Sequence, residues 1–212
     1  MCGRYSLHAS PEVIALQFGL EALPELQPRY NVCPGTEVLA VDNRRKARLV
    51  PWGDRFANAR AETVGERPAF RNAFRQFRCL VPASGFYEWQ NIGRTKQPWY
   101  IRPAGDELFA LAGIVLLWQG KRSVTLITTE PNELMRGIHD RMPVLIAPGD
   151  YDTWLDSPNP ASLLRPYRAE AMQAHTVHPR VSTPANDDPD LISRFDAQPV
   201  LDILPVHGRT DR

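Results

Sequence analysis

The sequence predicts an α+β fold: a single domain with a largely antiparallel β-sheet or barrel core and short flanking helices. Short runs of apolar and β-branched residues recur along the chain, separated by Gly, Pro, Asp or Lys/Arg turns at the spacing of antiparallel strands. Only a few stretches have helical periodicity. Since 43% of the 212 residues are hydrophobic, the chain can bury a substantial core. We expect one domain over residues 1–212, with a loose C-terminal tail from about 202 to 212.

The first fifty residues or so predict one helix and three strands. In "SPEVIALQFGL", Ser10 is a typical helix cap, Pro11 suits the first helical position, and apolar residues follow at helical spacing. The apolar and β-branched residues of "RYNVCPGTEVLAV" predict two short strands on either side of the Pro34-Gly35 turn. "ARLVPWG" predicts the third strand.

The middle of the chain predicts a clear helix in "ERPAFRNAFRQFRCLVP", followed by strands. Its apolar and its arginine residues fall on two separate stripes, which are Phe70, Ala73, Phe74 and Phe77, and Arg67, Arg71, Arg75 and Arg78. An arginine stripe is typical of a solvated face, and contact with DNA is the alternative. We expect "CLVPASGFYEW" to form one strand, with "PWYIRP", "LFALAGIVLLW" and "SVTLITT" continuing an antiparallel meander.

The last third alternates short helices and strands before it loses its apolar pattern. "PNELMRGIH" and "GDYDTWLD" predict helices, "MPVLIAP" predicts a strand, and "QAHTVHPRVS" predicts the last strand. The Asn/Asp/Pro-rich stretch "PANDDPDLI" predicts an irregular segment.

Charge and cysteine content narrow the functional classes. With 25 Lys+Arg against 24 Asp+Glu, the net charge of +1 gives no global attraction for a polyanion, so any contact with nucleic acid needs a local patch. The cysteines at 2, 33 and 79 are odd in number and form no CxxC, which favours neither a disulfide framework nor a zinc site. We expect a cytoplasmic protein, because the longest apolar run is too short to span a bilayer and no signal peptide is evident.

Cys2 is chemically distinctive because of its position. A small second residue normally permits removal of Met1, which leaves an α-amine of pKa about 7.7–8.0 beside the thiol. The neutral amine can condense with an aldehyde to an imine, and the thiol can then close a five-membered thiazolidine ring. This chemistry requires Cys2 to be exposed at the mature N-terminus. The alternative is a small apolar residue that begins a strand.

Three further residues are candidates for proton transfer or positioning. Asn58 in "NARAET" can orient a nucleophile without titrating, or it can cap a turn. Glu88 in "GFYEW" has aromatic neighbours that disfavour its charged form, although a surface ion pair is the alternative. His139 in "HDRMP" lies between a helix and a strand, where it can be catalytic or structural, and Asp140 or Arg141 can orient it.

These motifs together resemble a known family. "MCGRY", "RYNVCPG", "NARAET", "GFYEW", "HDRMP" and "HPRVSTPANDDPD" occur in the order found in the SOS-response-associated peptidase (SRAP) family of abasic-site processing proteins. The resemblance extends from residue 2 to about residue 195. It implies a protein that binds single-stranded DNA at an abasic site and crosslinks to it through Cys2, which protects the lesion from strand cleavage.

The resemblance also assigns roles to individual residues. Asn58 belongs to the active site, Glu88 is the general acid/base for imine formation and crosslink reversal, and His139 assists opening of the sugar. Contacts to DNA are implied for Arg4, Asn31, Pro34, Arg60 and Trp89. Neither a metal ion nor an organic cofactor is implied, and we expect a monomer that associates with the nucleoid when it is bound to DNA.

Two other functions stay open from the sequence. An N-terminal-nucleophile peptidase or amidohydrolase would use the Cys2 thiol for attack and the α-amine as its base. A non-catalytic nucleic-acid-binding module would form no adduct at all.

The chain departs from the family pattern in two places. Only "DRFA" separates Gly53 from Asn58, whereas the family has a longer loop there that grips DNA and parts the strands beside the lesion. This departure affects the expected recognition of a strand junction and leaves the candidate catalytic residues unchanged. Cys33 stands where the family commonly has alanine, and its thiol would be open to oxidation if it lies near the site.

Overall fold

Two β-sheets and four short α-helices form the described part of the computed structural model, which comprises residues 2–105 and 108–196. The strands are β1 (Tyr5–Leu7), β2 (Arg29–Val32), β3 (Glu37–Val41), β4 (Ala47–Pro51), β5 (Asn58–Arg60), β6 (Arg78–Ala83), β7 (Gly85–Ile92), β8 (Thr95–Pro103), β9 (Phe109–Trp118), β10 (Lys121–Thr129), β11 (Met142–Pro143), β12 (Leu145–Ile146) and β13 (Met172–Thr176). The helices are α1 (Pro11–Phe18), α2 (Arg71–Gln76), α3 (Glu133–Arg136) and α4 (Tyr151–Asp156).

The strands divide into a five-stranded sheet, ordered β13-β8-β7-β1-β2, and an eight-stranded sheet. The larger sheet runs β11-β10-β9-β6-β3-β4, with β12 paired to β9 and β5 paired to β10. Pairing between these strands is antiparallel except for β5 with β10, which is parallel. The predicted α+β single domain with a largely antiparallel core is confirmed, and its core consists of two open sheets.

The α1 helix forms where the sequence places its end signals. The Ser10 side chain accepts a hydrogen bond from the Val13 N–H, Pro11 occupies the first turn, and Gly19 adopts a left-handed φ of 62° that ends the helix. The buried face of the helix presents Ile14 and Phe18 to the core. This prediction is confirmed at both ends.

The five-stranded sheet has apolar residues on both faces. Phe86 and Ile101 belong to the main core between the sheets, whereas their strand neighbours Tyr87 and Tyr100 belong to a separate cluster with Val177, Val181 and Leu191. Because successive side chains of a strand point to opposite faces, Glu88 lies on the Phe86 face of β7. A carboxyl group is therefore directed into the core between the two sheets.

Several predicted elements are shorter or divided. The predicted helix around residues 67–78 is regular only over α2, and Arg78 begins β6 with 7% of its surface exposed, so the four arginines do not form one solvated stripe. The predicted strand "CLVPASGFYEW" is two strands, because the chain passes from one sheet to the other at Ser84-Gly85. At Gly85 a Cβ would lie 2.1 Å from the Tyr100 ring, so only glycine fits this crossing.

Three further elements also differ from the prediction. The strands β8 and β9 lie in different sheets, so the predicted meander is two hairpins, β7–β8 and β9–β10. "MPVLIAP" forms two strands of two residues each, β11 and β12. β13 ends at Thr176, and a 3₁₀ turn over Pro179–Ser182 follows it, where the sequence predicted that the last strand continues.

The tail predicted from residue 202 lies outside the described residues. In the part of the chain that the structure describes, no helix has the length and hydropathy needed to cross a membrane.

Candidate active site

The candidate site forms where four separate segments of the chain meet, and β7 is one of them. The strands β1 and β7 pair antiparallel with Tyr5 opposite Phe86, and the Tyr87 N–H donates to the Arg4 carbonyl at 3.0 Å beyond the end of β1. This pairing directs residues 2 and 3 along β7 toward Glu88. The strand β5 and the loop between α3 and β11 supply the other two segments.

Cys2 is held by the predicted asparagine. Asn58 Nδ2 donates a hydrogen bond of 2.9 Å to the Cys2 carbonyl. The Cys2 residue is 0% exposed, and burial, with a smaller contribution from the Glu88 carboxylate, raises the pKa of its thiol far above the usual range. The expectation of an exposed thiol is therefore wrong for the chain that carries Met1. The electrostatic contribution of Glu88 places its carboxyl group near this thiol.

Asn58 has one further polar atom available. It begins β5, which pairs in parallel with β10 so that Asn58 lies opposite Leu126. Its Oδ1 is buried and accepts no hydrogen bond from the described residues. Because a buried acceptor normally has a partner, this oxygen can accept an N–H or O–H from a bound group.

Glu88 is a buried carboxyl group with a strongly shifted titration. Only 2% of its surface is exposed, and burial raises its pKa from 4.5 to about 7. Its protonated and ionised forms are therefore both populated near neutral pH. A side chain in this condition can donate or accept a proton, as general acid/base catalysis requires.

His139 faces this carboxyl group across the site. Its Nε2 lies 3.7 Å from Glu88 Oε2, and its Nδ1 accepts a hydrogen bond of 3.0 Å from the Arg141 N–H. Burial lowers the pKa of His139, which favours the neutral ring. Because Nδ1 is an acceptor in this hydrogen-bond pattern, we assign the proton of the neutral imidazole to Nε2, on the side of Glu88. When the ring is doubly protonated, its Nδ1–H can donate a hydrogen bond to the Asp140 carboxylate, which lies 2.8 Å from Nδ1.

Arg141 fixes the position of the histidine loop. Its guanidinium forms a two-pronged ion pair with Glu62, with distances of 2.5 and 3.0 Å, and donates to the Thr128 carbonyl at 2.6 Å. This arginine also holds the pKa of Glu62 below its usual value. Sequence reasoning suggested Arg141 as an orienting residue but missed Glu62. The available signal was an acidic residue, Glu62, in "NARAET" and a basic residue, Arg141, in "HDRMP".

Two of the residues predicted to contact DNA serve mainly to hold the fold. The Arg4 guanidinium donates to Asn31 Oδ1 at 2.8 Å and to the Val181 and Ser182 carbonyls. Asn31 is 1% exposed, and its Nδ2 donates to three carbonyl groups, those of Val181, Thr183 and Asn186. The Asn31 side chain is therefore buried and engaged within the fold, and its contact with DNA stays a prediction. The phosphate contact of Arg4 stays a prediction.

The other residues predicted to contact DNA reach the surface. Arg60 is exposed at the end of β5, and its guanidinium forms no hydrogen bond or ion pair with the described residues. Pro34 is exposed in the turn between β2 and β3. Trp89 is half-buried and donates from Nε1 to Ser182 Oγ at 3.0 Å. Contacts of these three residues with DNA stay predictions.

Two further features of the described residues concern a second cysteine and possible metal ligands. Cys33 is a half-buried free thiol in the turn that contains Pro34. Over residues 2–105 and 108–196, no three His, Cys, Asp or Glu side chains lie together so that they could hold a metal ion.

A family profile and the sequence relatives agree on one family. The SOS response associated peptidase (SRAP) family profile matches residues 1–184. The abasic site processing protein YoaM of Bacillus subtilis is 38% identical over 221 residues, which covers 91% of this chain and 97% of the relative. YedK of Escherichia coli, another abasic site processing protein, is 30% identical over 176 residues, which covers 73% of this chain and 79% of the relative. A crystal structure of a Bacteroides thetaiotaomicron protein has a TM-score of 0.82 at 26% identity and covers 92% of this chain and 100% of that chain.

Proposed function

The chain belongs to the SOS response associated peptidase (SRAP) family, and on that premise we propose that it processes abasic sites in single-stranded DNA. Once Met1 has been removed, Cys2 forms a covalent thiazolidine crosslink with the ring-opened sugar of the lesion. The crosslink shields the lesion from strand cleavage. The protein acts as a monomer in the cytoplasm, and its activity is that of a DNA–protein crosslinking enzyme with lyase-like imine chemistry.

The reaction is redox-neutral and releases one water molecule. The neutral α-amine of Cys2 adds to the C1′ aldehyde, and the resulting carbinolamine loses its hydroxyl group as water to give an imine. The Cys2 thiol then adds to the same carbon, and its proton is transferred to the imine nitrogen. Because the ring closure is intramolecular, it proceeds at a high effective concentration of the thiol. The product keeps one C–N and one C–S bond to the sugar.

The buried acid/base pair suits each proton transfer in this sequence. Glu88 near its midpoint of titration can protonate the departing hydroxyl group and can then take the proton of the thiol. His139, with its Nε2 proton on the side of Glu88, donates to the ring oxygen as the sugar opens. The same groups act in reverse when the crosslink is released.

Asn58 holds the nucleophile in place. Its Nδ2 bond to the Cys2 carbonyl fixes the residue at the backbone, and its buried Oδ1 can accept a hydrogen bond from the α-amine or from a sugar hydroxyl. An asparagine suits this role because its amide does not titrate and therefore does not compete for the transferred proton.

The burial of Cys2 makes removal of Met1 a requirement. Cys2 carries a free α-amine only after Met1 is lost. The loss also removes the residue in front of the Cys2 thiol, which is 0% exposed. We infer that the processed N-terminus is the form that admits the sugar. The observation that carries the proposal is the meeting of four sequence-distant residues, namely Cys2, Asn58, Glu88 and His139.

A denaturing gel tests this function. The processed protein is incubated with a single-stranded oligonucleotide that contains one abasic site, and we expect a slower band that survives denaturation. Cys2→Ala should form no such band, whereas Cys33→Ala, which removes a half-buried thiol outside the proposed reaction, should form it as the wild type does. An undamaged oligonucleotide should give no band with any of the proteins.

Other outcomes assign the other functions. Acyl transfer to hydroxylamine that depends on Cys2, without a DNA adduct, would identify a peptidase or amidohydrolase. Binding of DNA without any adduct, equal in the wild type and in Cys2→Ala, would identify a non-catalytic binding module. Either result would contradict the crosslinking proposal.

A further inference from the structure

Two adjoining grooves on the eight-stranded sheet form a basic, partly apolar surface outside the candidate site. One has a volume of about 590 Å³ and is lined by Arg44, Arg48, Phe77, Leu117 and Arg122, among others. The other, of about 350 Å³, is lined by Arg55, Phe56 and Trp118 and shares Phe77, Val115 and Leu117 with the first. We call the two together the arginine groove.

The apolar side chains of the arginine groove are unusually exposed. Phe77, Leu117 and Trp118 expose 50%, 69% and 49% of their surfaces. The Arg55 guanidinium lies 3.9 Å from the centre of the Trp118 ring, a cation–π contact that fixes the orientation of the indole. A large, oriented and half-exposed aromatic ring beside arginines is suited to stacking against a flat ligand group.

The charge of this surface is positive and largely uncompensated. Arg44 and Arg122 are exposed, and neither guanidinium forms a hydrogen bond or ion pair with the described residues. Asp42 is the acidic residue of the lining, and it is already paired with Arg48 at 3.1 Å. In a chain with a net charge of +1, this concentration of arginines is a local attraction for a polyanion.

The arginine groove also lies close to the candidate site. Arg55 precedes Asn58 by three residues, so their Cα atoms are at most about 11 Å apart. Along β10, Arg122 is four residues from Leu126, the partner of Asn58, which corresponds to about 13 Å of strand. The arginine groove is therefore within the reach of a short single strand held at the site.

We propose that the arginine groove binds the single-stranded DNA next to the lesion, with a base stacked on Trp118 and phosphates held by Arg44 and Arg122. This inference rests on the proposed function for its choice of ligand, and it adds a second contact region to that function. The exposed aromatic ring recognises bases, and the free guanidinium groups recognise phosphates. The short "DRFA" segment carries Arg55, so the loop that is reduced in this chain supplies the residue that orients Trp118.

The test measures binding of an undamaged single-stranded oligonucleotide by fluorescence anisotropy as a function of salt. Trp118→Ala should weaken binding by about 5-fold to about 150-fold, which is the range for loss of one base–aromatic stack, and Trp118→Phe should keep most of the affinity. Arg122→Glu should reduce the slope of log affinity against log salt by about 0.7, which corresponds to one phosphate contact. Arg165→Glu, an exposed arginine outside the arginine groove, is the matched control and should bind as the wild type does.

The outcomes separate this inference from the crosslinking proposal. An undamaged strand has no aldehyde, so a failure of the crosslinking chemistry leaves this measurement unchanged. Wild-type affinity and salt slope in Trp118→Ala and Arg122→Glu, with cooperative thermal unfolding retained, would overturn the inference. Self-association of the wild type that Trp118→Ala abolishes, with unchanged affinity for DNA, would also overturn it and would identify a second copy of this chain as the occupant.

Discussion

Arg78 and Glu88 are both buried charged residues on consecutive strands, but their surroundings differ. Arg78 begins β6, and its guanidinium donates to a set of backbone carbonyls, those of Phe74, Arg75, Trp154, Leu155 and Ser157. These bonds tie α2 and α4 to the eight-stranded sheet. Glu88 on β7 has the His139 ring 3.7 Å away, and burial raises its pKa to about 7.

The contrast distinguishes a structural charge from a reactive one. A buried charge with many hydrogen-bond partners stabilises one arrangement of the chain, and removing it leaves those partners unsatisfied. A buried carboxyl group whose proton affinity matches the working pH is suited to proton transfer. Substitutions at Arg78 should therefore affect folding, and substitutions at Glu88 should affect the reaction.

The largest expected effect is on the reaction rate of Glu88→Gln. The amide keeps the size of the side chain but cannot transfer a proton, so the rate of crosslink formation should fall by about 10²-fold to 10⁴-fold. Single-turnover kinetics with an abasic oligonucleotide measure the rate, and thermal unfolding should show a melting temperature equal to or above that of the wild type. A wild-type rate would remove Glu88 from the mechanism.

The second effect is on the stability of Arg78→Met. The substitution keeps an apolar stem but leaves several buried carbonyls without their donor, so the free energy of unfolding should fall by about 3 kcal/mol. Urea denaturation measures the change, and the folded fraction should still form the crosslink at close to the wild-type rate. Unchanged stability together with a lost reaction would reverse the roles assigned to Arg78 and Glu88.

A third, smaller effect is the pH dependence that Glu88 gives to stability. Its pKa is raised from 4.5 to about 7 in the folded chain, so between these values the folded state holds a proton that the unfolded chain has released. This contribution to stability is fully present below pH 4.5 and is lost as the pH rises through about 7. The difference in unfolding free energy between wild type and Glu88→Gln should therefore change over this window, and a flat difference would contradict the raised pKa.

The smallest effect is expected at Asp140. Its carboxylate lies 2.8 Å from His139 Nδ1 but is 88% exposed, and exposed ion pairs contribute little. Asp140→Asn should lower the pKa of His139 further and change the rate of crosslink formation by no more than about 5-fold. A pH–rate profile measures both quantities. A loss as large as that of Glu88→Gln would make Asp140 part of the proton-transfer pair.

The sequence predicted those elements whose ends are set by residues next to them in the chain. The cap at Ser10, the proline at the next position and the left-handed Gly19 set the bounds of α1, and these signals are visible in the sequence. The division between β6 and β7 was not predictable in this way, because apolar residues continue on both sides of Ser84 and only the packing of Gly85 against Tyr100 separates the sheets. Arg78 matched the helical spacing of its stripe, but three of its five carbonyl partners lie in and just after α4, about 75 to 80 residues away.

The candidate site shows the same limit. Position and neighbouring residues made Cys2, Asn58, Glu88 and His139 candidates, and the family resemblance assigned their roles. The burial of Cys2 and the Arg141–Glu62 pair depend on tertiary structure. Asn31 and Arg4 were predicted to contact DNA, but both bind carbonyls of the segment around Val181, a contact over 150 residues that no local pattern reveals.

Intact-mass analysis after incubation with an abasic oligonucleotide tests the central claim most directly. A protein that lacks Met1 should gain the mass of one strand minus one water, and fragmentation should locate the adduct at Cys2. A chain with extra residues ahead of Cys2 should gain nothing, because it has no α-amine beside the thiol. An adduct located at another residue, or one formed equally by the blocked chain, would contradict thiazolidine formation at the N-terminus.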